Sequence, residues 1–154
     1  MNAIELLKAD HEKVKGLFDE VKATEDVDIK RNLFEKISQE LETHTHIEET
    51  IFYPYLLENG NEEIQDITKE GIEEHHEVKM FLREIPSLSE DSEKFEPKLK
   101  VLMENVEHHV EEEEGEMFPK CEKRFDASVL EELGASMEAQ KRKFKPSASA
   151  ASGR

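Results

Sequence analysis

The sequence predicts an all-α protein, an up-and-down antiparallel four-helix bundle with a short additional C-terminal helix. Four long stretches carry apolar residues at alternating steps of three and four, the spacing that places side chains on one face of a helix. Only 6 Gly and 5 Pro interrupt the 154 residues, which favours long helices over many short strands. Although 38% of the residues are charged, the regular apolar spacing argues against disorder.

The first two stretches predict a helical hairpin. The apolar face of the first helix consists of Ile4, Leu7, Val14, Phe18 and Val21, with His11 among them. The second helix begins near Asp28 and ends near Gly60, a residue type common at helix ends. Its face consists of Leu33, Ile37, Leu41, His44, Glu48, Ile51 and Tyr55.

The next two stretches predict a second hairpin. The face of the third helix consists of Ile64, Ile67, Ile72, His75, Val78, Leu82 and Ile85. This helix ends at Pro86, because a proline disfavours helical backbone in the residue before it. The fourth helix opens near Ser92, with Pro97 tolerated in its first turns. Its face consists of Leu99, Leu102, Val106, His109, Glu113 and Met117.

The chain changes character after Pro119. Ser128 and Glu131 have the spacing of a capping box and predict a short helix whose apolar residues are Leu130, Leu133, Met137 and Phe144. The expected organisation is a bundle over residues 1–125, a C-terminal helix over 126–145 and a disordered tail over 146–154. The C-terminal helix is expected to cover one end of the bundle.

Each of the four long helices places one histidine on its buried face, and the second and fourth helices add a glutamate one turn later. Buried ionisable groups without partners cost several kcal/mol each, a large part of a net stability of about 5–15 kcal/mol. Metal ions satisfy such groups together, since imidazole and carboxylate suit iron, manganese or zinc. Two His-x-x-x-Glu helices favour a di-metal centre over a single tetrahedral zinc, with iron as the first choice.

The two ligand-rich helices repeat one another. His44 to Pro54 aligns with His109 to Pro119 at an offset of 65 residues (109 − 44). The segments around His11 and His75 match less closely, although each histidine is followed three positions later by a valine. The chain is therefore interpreted as two related helical hairpins.

Four sequence blocks resemble the hemerythrin-like HHE cation-binding family. These blocks are Asp10-His11-Glu12, His44-x-x-x-Glu48-Glu49 with Phe52-Tyr53-Pro54, Glu74-His75-His76, and His109-x-x-x-Glu113-Glu114 with Met117-Phe118-Pro119. Any one block is weak evidence, but four in this order are specific. The resemblance implies an oxo- or hydroxo-bridged pair of iron ions. The ligands that it implies are His11, His44, Glu48, His75, His109 and Glu113.

The match to the family pattern is incomplete. Oxygen-carrying hemerythrins have a second histidine one turn along the third helix, where this chain has Lys79. A missing ligand favours reaction with a small ligand over reversible carriage. His76 is the alternative to His75, and Glu114 is the alternative to Glu113. Tyr55 continues the buried face towards the metals, with core packing as its favoured role.

Charge and composition exclude several classes of partner. A formal net charge of -17 opposes binding to nucleic acid and to anionic membranes. No segment approaches the ~20 apolar residues that a membrane span needs, so a soluble cytoplasmic protein is expected. The single cysteine, Cys121, cannot form an internal disulfide. No protein partner is identified.

Three functions compete at this stage. The first is a non-haem di-iron protein that binds or reacts with O2, NO or peroxide in sensing, storage or oxidant defence. The second is a di-iron enzyme that decomposes peroxide or oxidises ferrous iron. The third is a regulatory interaction module whose metal centre is structural.

Overall fold

The computed structural model describes residues 1–146, and these residues form helices only. Most of the predicted tail, residues 147–154, lies outside them. The elements in chain order are α1 (Ala3–Lys22), α2 (Val27–Ile47), a π-helical turn (Glu48–Phe52), α3 (Tyr53–Asn59), α4 (Glu62–Glu84), a 3-10 turn (Ile85–Ser87), α5 (Phe95–Glu112), a second π-helical turn (Glu113–Met117), α6 (Phe118–Arg124) and α7 (Ala127–Lys143). The four-helix bundle with an additional C-terminal helix is confirmed.

The helices begin where short polar side chains cap them. Asn2 accepts a hydrogen bond from the backbone N–H of Glu5, whose carboxylate accepts one from the N–H of Asn2. Asp26 and Asn61 likewise accept backbone N–H groups at the starts of α2 and α4. These side chains satisfy donors that have no partner inside the helix.

Two apolar cores lie along the bundle. The first contains the start of α1, both π-helical turns and the buried side of α7, including Leu7, Phe52 and Phe118. The second packs the opposite ends of the long helices, including Phe18 and Leu102. The histidines and glutamates of the predicted site lie between the two cores along every long helix. Apolar side chains therefore cover the site on both sides along the bundle and keep water away from it.

The C-terminal helix packs lengthwise against α1 and α2. It begins at Ala127 after Asp126, and no side-chain hydrogen bond caps it. The predicted Ser128–Glu131 capping box is therefore wrong, because Ser128 already lies inside the first turn. Within the described part of the chain, no helix is both long and apolar enough to cross a bilayer.

Gly134 provides the close contact between α7 and the start of the chain. A Cβ atom there would lie 2.3 Å from the carbonyl oxygen of Met1 and 2.8 Å from the backbone nitrogen of Ala3. Gly16 in α1 has nothing within 4 Å of such an atom. Backbone cannot move aside as a side chain can, so α7 approaches this closely only because residue 134 has no side chain.

Gly16→Ala and Gly134→Ala form a matched pair for testing this contact. Both gain about 1 kcal/mol of helix propensity, but Gly134→Ala also has to displace backbone, at a cost of about 1–3 kcal/mol. We expect Gly134→Ala to be less stable than Gly16→Ala by about that cost in urea unfolding at fixed metal content. Equal free energies of unfolding in the two variants would contradict the packing of α7 on the N-terminus.

Candidate metal centre

The six predicted ligands lie together in one buried cluster between the two cores. Each is no more than 6% exposed, and Glu48 is fully buried. They come from α1, from the end of α2 and its π-helical turn, from α4, and from the end of α5 and its π-helical turn. The members are His11, His44, Glu48, His75, His109 and Glu113.

The donor atoms form two overlapping groups. In the first donor set, donor atoms of His11, His44, Glu48 and Glu113 lie within 4.8 Å of one another. In the second donor set, those of Glu48, His75 and His109 do the same. Glu113 also reaches both sets, since its Oε1 lies 3.1 Å from His11 Nε2 and its Oε2 lies 3.2 Å from His109 Nε2. Two carboxylates thus stand between two pairs of imidazoles.

The cluster contains polar atoms that the protein leaves without a hydrogen bond. His44 Nε2 and both carboxylate oxygens of Glu48 are buried and have no well-aligned partner among the described residues. His75 Nε2 lies 2.9 Å from Glu48 Oε1, but this contact lacks hydrogen-bond alignment. Unsatisfied buried charge is strongly destabilising, whereas these atom types are metal ligands. The residues present therefore fit metal ions.

A carboxylate on a neighbouring element holds the outward nitrogen of every site histidine. The Nδ1 atoms of His11, His44 and His75 lie 2.7 Å from Glu114, 3.0 Å from Asp10 and 2.6 Å from Glu49 respectively. His109 Nδ1 pairs with Glu74 in the same way. A carboxylate that accepts from Nδ1–H fixes the ring and leaves the Nε2 lone pair facing inward. All four imidazoles are oriented for coordination through Nε2.

The structure distinguishes between the alternative residues that the sequence left open. His75 points into the cluster, whereas the side chain of His76 is 60% exposed beside Glu73. Glu113 enters the cluster, and Glu114 supports His11 from outside. Lys79, at the position of the missing histidine, makes an ion pair with Glu49. Lys79 therefore supports the partner of His75 from outside the cluster.

The tyrosine beside the cluster is Tyr53, and Tyr55 lies at a distance. Tyr55 is partly buried and packs on the first apolar core and on Phe125, in agreement with its favoured core-packing role, and the position over Glu48 belongs to Tyr53 instead. The cause is the π-helical turn, in which the N–H of Tyr53 donates to the carbonyl of Glu48, five residues back. This wider turn places residue 53 over residue 48. The extra residue in the turn has no signal in the amino-acid pattern.

The Tyr53 hydroxyl lies within the second donor set. It is 3.4 Å from His75 Nε2 and 3.3 Å from His109 Nε2, and it donates a hydrogen bond to Glu113. Gly71 makes room for it, because a Cβ atom there would lie 3.1 Å from the hydroxyl oxygen. At the matching position of the other hairpin, Phe118 stacks on His11 with ring centroids 6.0 Å apart. The second donor set thus has an additional oxygen that the first lacks.

The electrostatics of the cluster favour charged side chains. Burial lowers the pKa of His44, but Glu48 and Asp10 outweigh burial and raise it to about 10. The pKa values of His75 and His109 are also raised against the effect of burial, by Glu48 and Glu113 respectively among other carboxylates. Burial raises the pKa of Glu48, but His44 and other neighbours bring it well below its usual range. Burial and Glu113 raise the pKa of Tyr53.

A small cavity lies beside the four site imidazoles. Its volume is about 20 Å³, enough for one water-sized molecule, which needs about 10–15 Å³. Beyond the four site histidines and Asp10, its walls are mostly apolar and include Val14, Leu41, Val78, Val106 and Val110. The cavity therefore has room for about one water-sized molecule next to the cluster.

The fold and the cluster together define a helical-bundle protein with a buried histidine and carboxylate site for cations. The family described as Hemerythrin HHE cation binding domain matches residues 2–121. The chain belongs to this family, as the sequence blocks predicted. The match spans all six residues of the cluster and ends before α7.

Three relatives illustrate the similarity. A Hemerythrin HHE cation binding domain-containing protein from Mycobacterium kansasii, known from a crystal structure, is 26% identical with a TM-score of 0.77, covering 93% of this chain and 86% of that one. An uncharacterized hemerythrin-like protein of Schizosaccharomyces pombe is 29% identical over 89% of this chain and 67% of its own length. A DNA nickase of Nostoc sp. is 27% identical over 94% of this chain. The chain spans 40% of that nickase.

Metal binding should depend on pH, because ions have to displace imidazole protons. With the pKa of His44 raised from 6.5 to about 10, the metal-free fold retains this proton at neutral pH. Ferrous ion added to chelator-treated protein should release protons, and its affinity should rise with pH. The stability that protonated His44 gives the metal-free fold should be full below pH 6.5 and disappear as pH rises through about 10. Proton release measured with a pH indicator checks this prediction. An affinity for ferrous ion that stays the same between pH 6.5 and about 10 would contradict it.

Tyr53→Phe tests whether the hydroxyl is an additional ligand. If the phenolate binds ferric ion, the oxidised iron-loaded protein should show a visible charge-transfer band that Tyr53→Phe lacks. Tyr55→Phe is the matched control and should retain the band. Identical visible spectra for the two variants would limit Tyr53 to its hydrogen bond with Glu113.

Proposed function

We propose that this protein holds two iron ions in the buried cluster and uses them to bind or react with O2, NO or peroxide. The observation that carries the proposal is the inward convergence of four Nε2 atoms around two buried carboxylates. Three of these inward atoms, His44 Nε2 and the two carboxylate oxygens of Glu48, have no hydrogen bond. The first donor set would hold one ion and the second donor set, with Tyr53, the other. Glu48 and Glu113 would serve both ions, because each lies close to imidazoles of both donor sets.

Iron is favoured by the chemistry of the donors and by the shape of the site. Mixed imidazole and carboxylate donors suit iron, although manganese and zinc accept them too. Two irons that each change by one electron supply together the two electrons that interconvert O2 and peroxide. Two bridging carboxylates serve a pair of ions better than a single tetrahedral zinc.

The cavity supports a small ligand over an organic substrate. Its volume of about 20 Å³ is close to that of one small molecule, which favours O2, NO or hydrogen peroxide as ligands. Its valine and leucine walls keep water away, which strengthens electrostatic interactions inside the site. The four Nδ1 carboxylates keep the imidazoles in place when the ligand exchanges.

An enzyme that decomposes peroxide is the second candidate. Two observations favour it over reversible carriage. Lys79 occupies the position of the second histidine of the oxygen carriers and pairs with Glu49. Tyr53 brings a hydroxyl beside His75 and His109, and this group is able to move a proton at Oη. Neither feature is needed for binding alone.

Anaerobic loading with ferrous iron tests the proposal. Wild-type protein should retain about two irons per chain, the number of donor sets, and give charge-transfer bands on exposure to O2 or NO. Glu48→Gln should retain less than one, because this residue belongs to both donor sets and the amide is neutral. The exposed Glu116→Gln is the control and should match the wild type. Colourless wild-type protein with less than one metal per chain would reject the proposal.

The rate of hydrogen peroxide consumption by iron-loaded wild-type protein and by a His109→Ala variant separates binding from turnover. Hydrogen peroxide consumed faster by the wild type than by His109→Ala supports the enzyme. If the two proteins consume peroxide equally fast and the wild type binds its ligand normally, the protein acts by binding and not by turnover. Bound iron that responds to none of these ligands would indicate a structural metal centre in a regulatory module.

A further inference from the structure

The end of α7 is connected to the metal cluster through a buried carboxylate. Lys141 Nζ lies 2.6 Å from Asp10 Oδ1, and Asp10 Oδ2 lies 3.0 Å from His44 Nδ1. A cation on α7, a carboxylate on α1 and an imidazole on α2 thus form one continuous chain of contacts. The inward end of this chain is His44 Nε2, which is buried and has no hydrogen bond.

This ion pair differs from an ordinary surface salt bridge. Exposed pairs contribute little to stability because water screens them. Here the Asp10 side chain is only 7% exposed, whereas that of Lys141 is 39% exposed. A buried carboxylate that loses a partner is strongly destabilised. Asp10 is therefore held in place by its two partners and not by solvent.

Further contacts fix the last turn of α7 against α2. Gln140 lies 2.8 Å from His46 Nε2, and the ring of Phe144 stacks on that of His46 with centroids 4.2 Å apart. His46 is two residues from His44 in the sequence. The last turn of α7 therefore packs beside the segment of α2 that carries His44, and not over an end of the bundle as expected.

The corresponding position in the other hairpin is built differently. Glu74 precedes His75 as Asp10 precedes His11, and it supports His109 as Asp10 supports His44. The further neighbours of Glu74 are His108 and Glu112, in place of a lysine. The α7 lysine therefore acts on the first donor set, and the second donor set lies beyond its reach.

We propose that Lys141 is a positioning residue for the metal ion held by His44, so that metal binding and the docking of α7 stabilise one another. Lys141 occupies Oδ1 and balances the charge of Asp10. Oδ2 then accepts from His44 Nδ1–H and keeps Nε2 directed at the first donor set. This inference rests on the proposed metal centre.

Release of ferrous iron to a chelator tests the role of Lys141. The full chain is loaded anaerobically, and the release of each iron is followed in time. Lys141→Met should lose one of the two irons several-fold faster, and by less than the roughly 10–100-fold that loss of a direct partner of a ligating histidine costs, because Asp10 stands between Lys141 and His44. The second iron should leave at the wild-type rate. Lys141→Arg should restore slow release, and the exposed Lys143→Met should match the wild type.

Hydrogen exchange gives an independent readout of the coupling. In the wild type, iron should slow amide exchange in the last turns of α7, and Lys141→Met should lose this response. Three results would overturn the inference: equal release from Lys141→Met and Lys143→Met, parallel acceleration of both irons with a lowered unfolding midpoint, or no rescue by arginine. The proposed function survives each of them, because it requires only that the wild type holds two irons.

Discussion

The burial of four imidazoles and two carboxylates at one level of a helical bundle is the constraint on which the rest of the structure depends. Such groups are tolerated in a core only when something satisfies them together. The outward nitrogens are satisfied by Asp10, Glu49, Glu74 and Glu114. The inward atoms His44 Nε2 and the Glu48 oxygens remain without hydrogen bonds. Each imidazole thus has its Nδ1 held by a carboxylate and its Nε2 directed into the cluster. This arrangement defines the site as one for cations.

The two π-helical turns are the local device that builds the site. Each begins at a cluster glutamate, Glu48 or Glu113, and each is followed by a proline-containing helix. The wider turn places Tyr53 over Glu48 and Phe118 over Glu113. Related hairpins thus present a hydroxyl on one side and a plain ring on the other. The two related hairpins therefore differ at the residue that follows each π-helical turn, Tyr53 or Phe118. This residue would make the chemistry of the two donor sets different.

The C-terminal helix has a different status from the bundle. The family match ends at residue 121, yet Lys141 contacts Asp10 beside His44. Gly134 allows α7 to approach the N-terminal backbone closely. A helix outside the four-helix bundle therefore contributes a charge to the surroundings of one donor set. The two donor sets therefore differ in where the outer lysine comes from, α7 for Lys141 and α4 for Lys79, as well as in the presence of Tyr53.

Sequence alone determined the helical bundle, the order of the hairpins and four residues of the cluster, and it left His75 or His76 and Glu113 or Glu114 as alternatives that the structure separates. It could do so because apolar spacing fixes which side of a helix is buried, and polar residues in phase with that spacing have to meet inside. Tertiary structure decided the place of Tyr53, the outward partners of the histidines and the reach of Lys141. A π-helical turn changes the phase after it without any sequence signal, which moved the buried position from Tyr55 to Tyr53. Contacts between helices, such as that of Lys141 with Asp10, depend on how whole helices pack, and no local spacing encodes them.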